Sequence, residues 1–351
     1  MSQQALKAAL GRPFDPTPPT SELAGYHAPY SRLTGDDVEG RLRAELRGFG
    51  RIGVTGVSGS GKSSLVRYVA DGDETLAPIY LNVAAESHEK VRDPREFLDV
   101  LITHLADTAR DVATLSDEQR VELLRDGTLS APIPGVTRTT RAEFGGSWFL
   151  VAKLADDIAT AVAPSEGYRN AEQLAGTANA ALDHIRAYDL VPVLVCDDTD
   201  RILRLPNTDT RELFDGFFGE VLRTVVTQVM DLALVVAVHD DYRADEALGY
   251  DEKVTGLIER HIAIPRLSEP AHIEGVLDAR AAFVPGDSPR PYSARDLFDR
   301  DAIAELAALH RGAHAHDLRH TLTTAKAAIA LAADAADELV ERRHVAAADA
   351  S

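Results

Sequence analysis

The sequence predicts an α/β fold, in which a parallel sheet is flanked by helices and is followed by a helical C-terminal region. Short apolar runs, each about the length of one buried strand, alternate with longer stretches in which apolar residues recur at helical spacing. This alternation is typical of a parallel sheet with helices on both faces. Several of the apolar runs lead directly into glycine-rich or polar residues. Because ligands of such sheets bind at the carboxyl ends of the strands, those residues are the candidates for a site.

The position of each strand and helix is predicted from the spacing of its apolar residues and from the capping residues and glycines at its ends. Runs of branched apolar residues indicate buried strands, whereas a capping residue before a helical pattern and a glycine after it mark the ends of a helix. The first helix is expected to be capped by Thr34 or Asp36. Strands are predicted at Arg51–Thr55 and Leu76–Ala84, and within Leu190–Arg201, Leu232–Arg243 and Arg260–Glu269. Helices are predicted at Thr34–Gly50, Ser64–Asp71, Asp93–Ala113 and Thr210–Met230, and from Ala271 onward.

Three regions are expected along the chain. Residues 1–33 are rich in proline and polar residues and lack periodicity, which predicts an extended arm. Residues 34–268 hold the alternating strands and helices, with a helical insertion at about 114–186 that contains the loop 130–148. Residues 269–351 form the helical region. Long loops are often functional, so a partner-contacting role for the loop 130–148 stays open beside that of a mobile insertion.

Composition limits the class of protein. The chain has 351 residues, of which 45% are hydrophobic, so it can bury a sizeable core. Its formal net charge of −19 disfavours broad non-specific binding to nucleic acid, which needs a positive surface. The single cysteine, Cys196, excludes an internal disulfide and suits a reducing compartment. With no signal-peptide pattern and no apolar run of the ~18 residues that a membrane span needs, we expect a cytoplasmic protein.

A glycine-rich loop lies between the first predicted strand and the helix after it. It reads Gly56, Val57, Ser58, Gly59, Ser60, Gly61, Lys62, Ser63 and Ser64. The pattern is G-x-x-x-x-G-K-[ST], in which glycines let the backbone approach a phosphate and the helix N-terminus attracts it. Lys62 would reach the β- and γ-phosphates, and the Ser63 hydroxyl would ligate Mg²⁺. The loop therefore predicts a site for a nucleoside triphosphate and Mg²⁺.

Acidic residues follow the third predicted strand. Four apolar residues, Val193–Cys196, lead directly into Asp197 and Asp198, and Asp200 is close behind. Carboxylates after a buried strand are costly unless they have partners or a ligand. We expect Asp197 to hold Mg²⁺ through water and Asp198 to orient and deprotonate the attacking water, with Asp200 as the alternative base.

Together these residues resemble a known family. The loop Gly56–Ser63 and the strand Val193–Asp198 resemble the Walker A and Walker B motifs of P-loop ATPases. The order of elements resembles the AAA+ class, particularly the bacterial origin-recognition-like and KAP-type ATPases. The resemblance implies ATP as the nucleotide, His239 as the polar sensor that ends the next strand, and Arg260 as a finger for a neighbouring subunit's nucleotide. Arg266 is the alternative finger.

The C-terminal helices resemble the AAA+ lid. Related ATPases carry a G-x-x-R-D-L pattern there, and this chain reads RGAHAHDLRHTL over Arg311–Leu322, with His316 in the slot of the arginine. Either His316 replaces that arginine as the second sensor, or Arg319 takes the role, or the contact is lacking. His316 and His320 are also spaced to place two metal ligands on one helix face. The alternative for these histidines is a polar helix start that faces the nucleotide.

The resemblance implies an ATPase that assembles as a homo-oligomer through its nucleotide sites and switches or remodels a protein partner. A bacterial defence or regulatory system is the setting it suggests. Most AAA+ proteins have glutamate where this chain has Asp198, which keeps open slow turnover and a nucleotide-dependent scaffold. A DNA-loading or transposition-type regulator is the third hypothesis. The negative charge and the lack of room for a DNA-reading domain after the lid disfavour it.

Overall fold

The computed structural model describes residues 3–105, 107–108, 171–200, 207–229, 231–285 and 290–350, without the side chains of 184 and 207–209. The loop 130–148 and most of the insertion predicted at about 114–186 lie outside the described residues. Of the predicted insertion, only the helix over Ala171–Arg186 is described.

Among the described residues, five strands form one parallel sheet, which confirms the predicted fold class. The strands are β1 Arg51–Gly56, β2 Leu76–Asn82, β3 Val191–Asp197, β4 Ala233–His239 and β5 Arg260–Ala263. Their order in the sheet is β2-β3-β4-β1-β5. In the parallel register of β2 and β3, Asn82 lies opposite Asp197, so these two strands end side by side.

Helices precede, separate and follow these strands along the chain. They are α1 Gln3–Ala9, α2 Tyr30–Leu33, α3 Val38–Arg47, α4 Lys62–Asp71, α5 His88–Arg92, α6 at 94–105, α7 Ala171–Arg186, α8 Asn207–Phe214, α9 Leu222–Gln228, α10 Asp240–Ala244, α11 Tyr250–Val254, α12 Pro270–Ala281, α13 Arg300–Arg311, α14 Leu318–Asp334 and α15 Arg342–Asp349. Within the part of the chain that the structure describes, none of them has both the length and the apolar character needed to cross a bilayer.

The chain divides into two compact units, each assembled from separate stretches. The first unit contains residues 1–42, 55–72 and 262–351, so the glycine-rich loop, the arm and the C-terminal helices belong to it. The second unit contains residues 43–54 and 73–261, including the whole of β2, β3 and β4.

The second unit is built around an apolar core between its strands and helices. An aromatic group formed by Phe214, Phe218, Tyr242 and Tyr250 fills part of it, with ring centroids 4.8–6.5 Å apart. The helix predicted over Thr210–Met230 is interrupted here, because Asp215–Val221 between α8 and α9 is a π-helical turn. Such turns are rare and occur mostly as single insertions within α-helices.

The arm is folded in the first unit, although the sequence predicts an extended segment. Helix α1 buries Ala5, Leu6 and Ala9, and the side chain of Gln3 donates a hydrogen bond to the Ala333 carbonyl of α14 at 3.2 Å. Further along, the buried guanidinium of Arg280 donates to the backbone carbonyls of the arm. Seven residues are too few to show helical periodicity in a sequence, so only this packing identifies α1.

The C-terminal region is helical as predicted, but in separate helices. Asp299 and Asp317 begin α13 and α14, since their carboxylates accept backbone N–H groups of the first turn. Gly312 directly follows the end of α13. Capping chemistry therefore sets the breaks that apolar periodicity alone does not show.

Candidate functional site

The glycine-rich loop connects β1 to α4 in the predicted strand–loop–helix arrangement. Gly59 and Gly61 have φ angles of +72° and +101°, a left-handed region that glycine enters without a steric penalty. At Gly56 a Cβ atom would lie 2.6 Å from the Ser60 hydroxyl, so a larger residue there would fill the inside of the loop. These glycines let the backbone turn tightly and leave space beside it that no side chain fills, as a phosphate group needs.

Two polar side chains of this loop are buried. The Lys62 amino group donates hydrogen bonds to the carbonyls of Gly56 and Val57, both at 2.9 Å. The Ser60 hydroxyl is buried and has no hydrogen-bond partner among the described residues. Ser63 is the second residue of α4 and so lies at the positive end of the helix dipole. A buried cation, a helix N-terminus and an unpartnered hydroxyl around a glycine loop fit an anion such as the phosphates of ATP.

The arm contacts the loop and α4, which sequence reasoning missed. The Tyr30 hydroxyl donates to the Ser60 carbonyl at 3.2 Å. The Ser64 hydroxyl, predicted to belong to the phosphate site, donates to the Leu23 carbonyl at 3.1 Å and lies 3.4 Å from His27 Nδ1. Ser64 therefore fastens α4 to the arm in this structure. An irregular, proline-rich segment gives no sequence signal for such contacts.

A buried carboxylate organises this part of the arm. Glu39 Oε1 accepts hydrogen bonds from the Tyr30 backbone N–H at 2.7 Å and from His27 Nε2 at 2.9 Å. Burial acts to raise the pKa of Glu39, but the hydrogen bonds from His27 and the Tyr30 backbone outweigh it and hold the pKa below its ordinary value. Glu39 is thus ionised at neutral pH and fixes the arm around Tyr30.

The beginning of α14 touches the glycine-rich loop. The Leu318 backbone N–H donates to the Gly59 carbonyl at 3.1 Å. Asp317 Oδ1 caps α14 by accepting the Arg319 N–H at 2.8 Å, and a Cβ on Gly59 would lie only 1.8 Å from that same oxygen. Gly59 is therefore required by its backbone angle and by the approach of Asp317.

The two predicted second sensors differ in their surroundings. Arg319 lies in the first turn of α14 and is exposed. His316 precedes the cap, and its ring packs against that of His310 with centroids 5.3 Å apart. Whether His316, Arg319 or neither of them meets a nucleotide stays open to test. Among the described residues no group of three or more histidine, cysteine, aspartate or glutamate side chains is arranged to hold a metal ion, so nothing in them supports the metal hypothesis for His316 and His320.

In the second unit, Asp197 is the last residue of β3. Its backbone carbonyl accepts the Val83 N–H at 3.0 Å, and its Oδ1 accepts the Asp198 N–H at 2.8 Å. Cys196, directly before it, is buried, and burial raises the pKa of the thiol, so this cysteine is an inert core residue. The side chain of Asp197 is only partly buried, as a carboxylate that ligates Mg²⁺ through water requires.

Asp198 has an unusual backbone and a specific partner. Its φ angle is +58°, in the left-handed region. Asn82, at the end of β2, donates from Nδ2 to Asp198 Oδ2 at 3.3 Å, while Asn82 Oδ1 accepts the Ala84 N–H at 2.9 Å. Because β2 and β4 flank β3 on opposite sides, this bond holds the carboxylate on the side away from β4. The signal for Asn82 in the sequence is a single polar residue at the end of an apolar run.

The residues after Asp198 are anchored to β4 and α10. Thr199 is fully buried; its hydroxyl donates to the Ala237 carbonyl, and its own carbonyl accepts the Tyr242 hydroxyl. Asp200 is partly buried in the same turn. A side chain that bonds across to the neighbouring strand fixes the acidic turn.

His239, the predicted first sensor, ends β4 and caps α10. Its Nδ1 accepts the Asp241 backbone N–H at 3.1 Å. A neutral ring that accepts at Nδ1 carries its hydrogen on Nε2, so it has one donor to offer. Since β4 pairs with β3, His239 and Asp197 end neighbouring strands.

Arg260, the predicted finger, is the first residue of β5. In a parallel sheet all strands start on one side and end on the other. Arg260 therefore lies on the side where the strands start, whereas Asp197 and His239 lie on the side where β3 and β4 end. Its side chain is 69% exposed and pairs with Glu45. Because Arg260 begins β5 and pairs with Glu45, it does not lie with Asp197 and His239 of its own chain, and its role toward a neighbouring subunit stays a prediction.

Comparisons with known proteins give a limited result. The sequence matches no protein-family model and no curated protein. Among solved structures it is similar to the Aeropyrum pernix ORC2 protein in its ADPNP–ADP complexes, with 13% identity, a TM-score of 0.47, and coverage of 89% of this chain and 66% of that one. The ADP form of the same protein gives 12% identity, a TM-score of 0.45, and coverage of 93% and 69%. This chain thus spans about two thirds of their length, and a likeness of this strength transfers no property.

Proposed function

We propose that this protein binds ATP with Mg²⁺ and hydrolyses it, as an ATPase of the AAA+ type. The observation that carries the proposal is the glycine-rich loop: two left-handed glycines, a third with no room for a side chain, and a buried lysine at the start of a helix. Few sites other than phosphate sites need this combination.

The residues of the first unit would bind the phosphates. Lys62 exchanges its bonds to the Gly56 and Val57 carbonyls for bonds to the β- and γ-phosphates, which are stronger because both partners are charged. The N-terminus of α4 adds its positive dipole end. Ser63 and, through water, Asp197 are the proposed ligands of Mg²⁺, which supplies neutralising charge to the phosphates when bound.

The acidic turn would supply the base. Asp198 is the proposed base, Asp200 the alternative, and His239 Nε2 the proposed donor to the attacking water or the γ-phosphate. In this structure Asn82 holds the Asp198 carboxylate by a hydrogen bond. That bond occupies one acceptor position of Oδ2 and restrains the carboxylate, so we expect water activation to be slower while it is in place than after Asp198 is released. This geometry also supports the second candidate, a nucleotide-dependent scaffold with little turnover.

Titration of a fluorescent ATP analogue tests the binding proposal. Lys62→Ala should weaken binding about 100-fold, because a charged hydrogen bond to each terminal phosphate is lost. Lys90→Ala is the matched control, since Lys90 is an exposed lysine whose ion pair among the described residues is with Glu86 at 3.2 Å. Wild-type affinity in Lys62→Ala would refute the phosphate site.

The proposal includes assembly. We infer a homo-oligomer in which Arg260 of one subunit completes the nucleotide site of the next, and a protein partner that is switched or remodelled. The exposure of Arg260 supports this role. DNA loading is a further alternative, which the net charge of −19 disfavours. Steady-state ATPase rates with and without DNA or candidate partners separate these possibilities.

Mixing variants tests the shared site. Arg260→Ala should still bind ATP but lose about 10³-fold in hydrolysis rate, because the transferring phosphoryl group loses a charge. Mixed with Lys62→Ala, it should regain activity at interfaces where an intact loop meets an intact arginine. Arg266→Ala is the companion variant. A flat, inactive mixing series, or a monomeric mass in ATP, would contradict the shared site.

A further inference from the structure

A strained turn connects α13 to α14. This histidine turn, residues 312–317, has two consecutive left-handed residues that are not glycine, Ala315 with φ +47° and His316 with φ +68°. Backbone bonds hold it, among them His316 N–H to the His310 carbonyl and Asp317 N–H to the His314 carbonyl, both at 2.8 Å. Such backbone angles are unfavourable for ordinary residues and persist only where the surroundings impose them. The turn is therefore held by these backbone bonds together with the contacts of its side chains.

Histidine rings provide those contacts. His310 is 1% exposed, and its Nδ1 lies 2.8 Å from the Thr321 hydroxyl, which is also 3.3 Å from His314 Nδ1. His314 Nε2 lies 3.1 Å from Asp349 Oδ1 of α15. Burial, together with the neighbouring His316 and His314, lowers the pKa of His310 to about 4. His310 is thus neutral above pH 6, and a change between pH 6 and pH 8 does not titrate it.

The ring of His316 has one nitrogen inside the turn. Its Nδ1 is buried and has no hydrogen-bond partner among the described residues. The neutral ring tolerates this by carrying its hydrogen on Nε2, whereas an imidazolium carries a hydrogen on both nitrogens. Protonation would then bury an N–H without an acceptor and place a charge against the His310 ring.

The charged groups around the turn do not offset that charge. The Asp349 carboxylate is bonded to His314, and the Asp317 carboxylate accepts the backbone N–H groups of Arg319 and His320. Within five residues of His316 in the chain, the other titratable side chains, Arg311, His314, Arg319 and His320, are cationic when charged, and the further carboxylates of α13 and α14 are Asp301, Glu305 and Asp334.

The turn ends at the contact with the glycine-rich loop, where Leu318 N–H meets the Gly59 carbonyl. We propose that the histidine turn is a proton-sensitive connection that keeps α14 on this loop while His316 is neutral and releases it when His316 is protonated. On the proposed function, which this inference extends, nucleotide affinity then falls as pH falls from 8 to 6.

Hydrogen exchange without nucleotide tests the connection itself. In the wild type, protection of the amides at 318–324, corrected for the intrinsic pH dependence, should fall up to about 4-fold between pH 8 and pH 6, the most that a single imidazole with an ordinary pKa of about 6.5 in the released state can contribute. His316→Asn should keep its protection at both values, since asparagine tolerates the left-handed region and does not titrate. His88→Asn, which changes an exposed histidine elsewhere, should behave as the wild type. Equal protection of the wild type at both pH values would overturn the proposal, as would an equal loss in His316→Asn.

Two further measurements separate this inference from the proposed function. Ala315→Gly removes strain at φ +47° without touching a histidine, so the release should move to lower pH; an unchanged midpoint would count against a strained turn. Affinity for the ATP analogue should fall more between pH 8 and pH 6 in the wild type than in His316→Asn. The ratio of the two affinities in His316→Asn measures the part of the change that comes from protonation of the nucleotide. A protection change without any nucleotide binding would leave the connection standing and refute the proposed function.

Discussion

The glycine-rich loop and the acidic end of β3 are fixed in different ways. Lys62 bonds to carbonyls five and six residues away, and the left-handed angles belong to glycines of the same loop. The carboxylate of Asp198 is bonded by Asn82, 116 residues earlier in the chain. One region thus carries its geometry in its own sequence, and the other receives it from a neighbouring strand.

This difference separates binding from turnover. A loop with local glycine angles and local lysine bonds is formed whenever β1 and α4 are formed, and its affinity for phosphate then changes only through contacts such as that of Gly59 with the start of α14. A carboxylate bonded by a residue of another strand has a second possible position, and a change at the end of β2 reaches it directly. Under the proposed function, hydrolysis is therefore open to regulation through the end of β2, whereas binding is open to regulation through the start of α14.

The largest effect is expected from a substitution in the acidic region, Asp197–Asp200, that leaves the glycine-rich loop unchanged. Asp198→Asn should slow hydrolysis by ~10²–10⁴-fold, because an amide does not accept a proton from water. The affinity for the ATP analogue should stay within about 3-fold, since the loop is untouched. Phosphate release and analogue titration on one preparation measure both.

Two companion variants make this result specific. Asp334→Asn, which changes an exposed carboxylate at the end of α14, should leave both values unchanged. If Asp198→Asn hydrolyses ATP normally and Asp200→Asn does not, Asp200 is the base.

The same contrast explains what the sequence predicts. The alternating apolar runs and the loop pattern identify the parallel sheet, the strand–loop–helix unit and the candidate residues at the ends of β3 and β4, because these signals lie within short windows. The helical α1, the contact of Tyr30 with Ser60, and the bond between Asn82 and Asp198 join residues far apart in the chain. No local pattern records such pairs.

The second largest effect is expected from a substitution in the glycine-rich loop. Gly59→Ala should weaken nucleotide binding about 10-fold, because alanine is strained at φ +72° and its Cβ would overlap the Asp317 carboxylate. Gly35→Ala is a matched control: its φ is +79°, but nothing lies within 4 Å of a Cβ there. Comparing the two by analogue titration and thermal unfolding separates backbone strain from displacement of α14. Equal affinity in both variants would show that the approach of Asp317 does not matter for binding.

The smallest expected effect sharpens the comparison, since it changes the restraint on Asp198 and leaves the carboxylate in place. Asn82→Ala removes the amide that bonds Asp198 Oδ2, so the basal ATPase rate should rise about 2- to 10-fold, the equivalent of one ordinary hydrogen bond, with unchanged affinity. Asn82 Oδ1 also accepts the Ala84 N–H, so Asn82→Asp is a necessary second variant: it keeps that acceptor, removes the donor, and should raise the rate as well. Asn179→Ala deletes an asparagine whose side chain donates to the Gln228 carbonyl, away from the acidic residues, and should leave the rate unchanged. A fall in rate in both Asn82 variants would mean that Asn82 holds Asp198 in the position in which it activates water. The acidic region, like the loop, would then already have its working geometry in this structure.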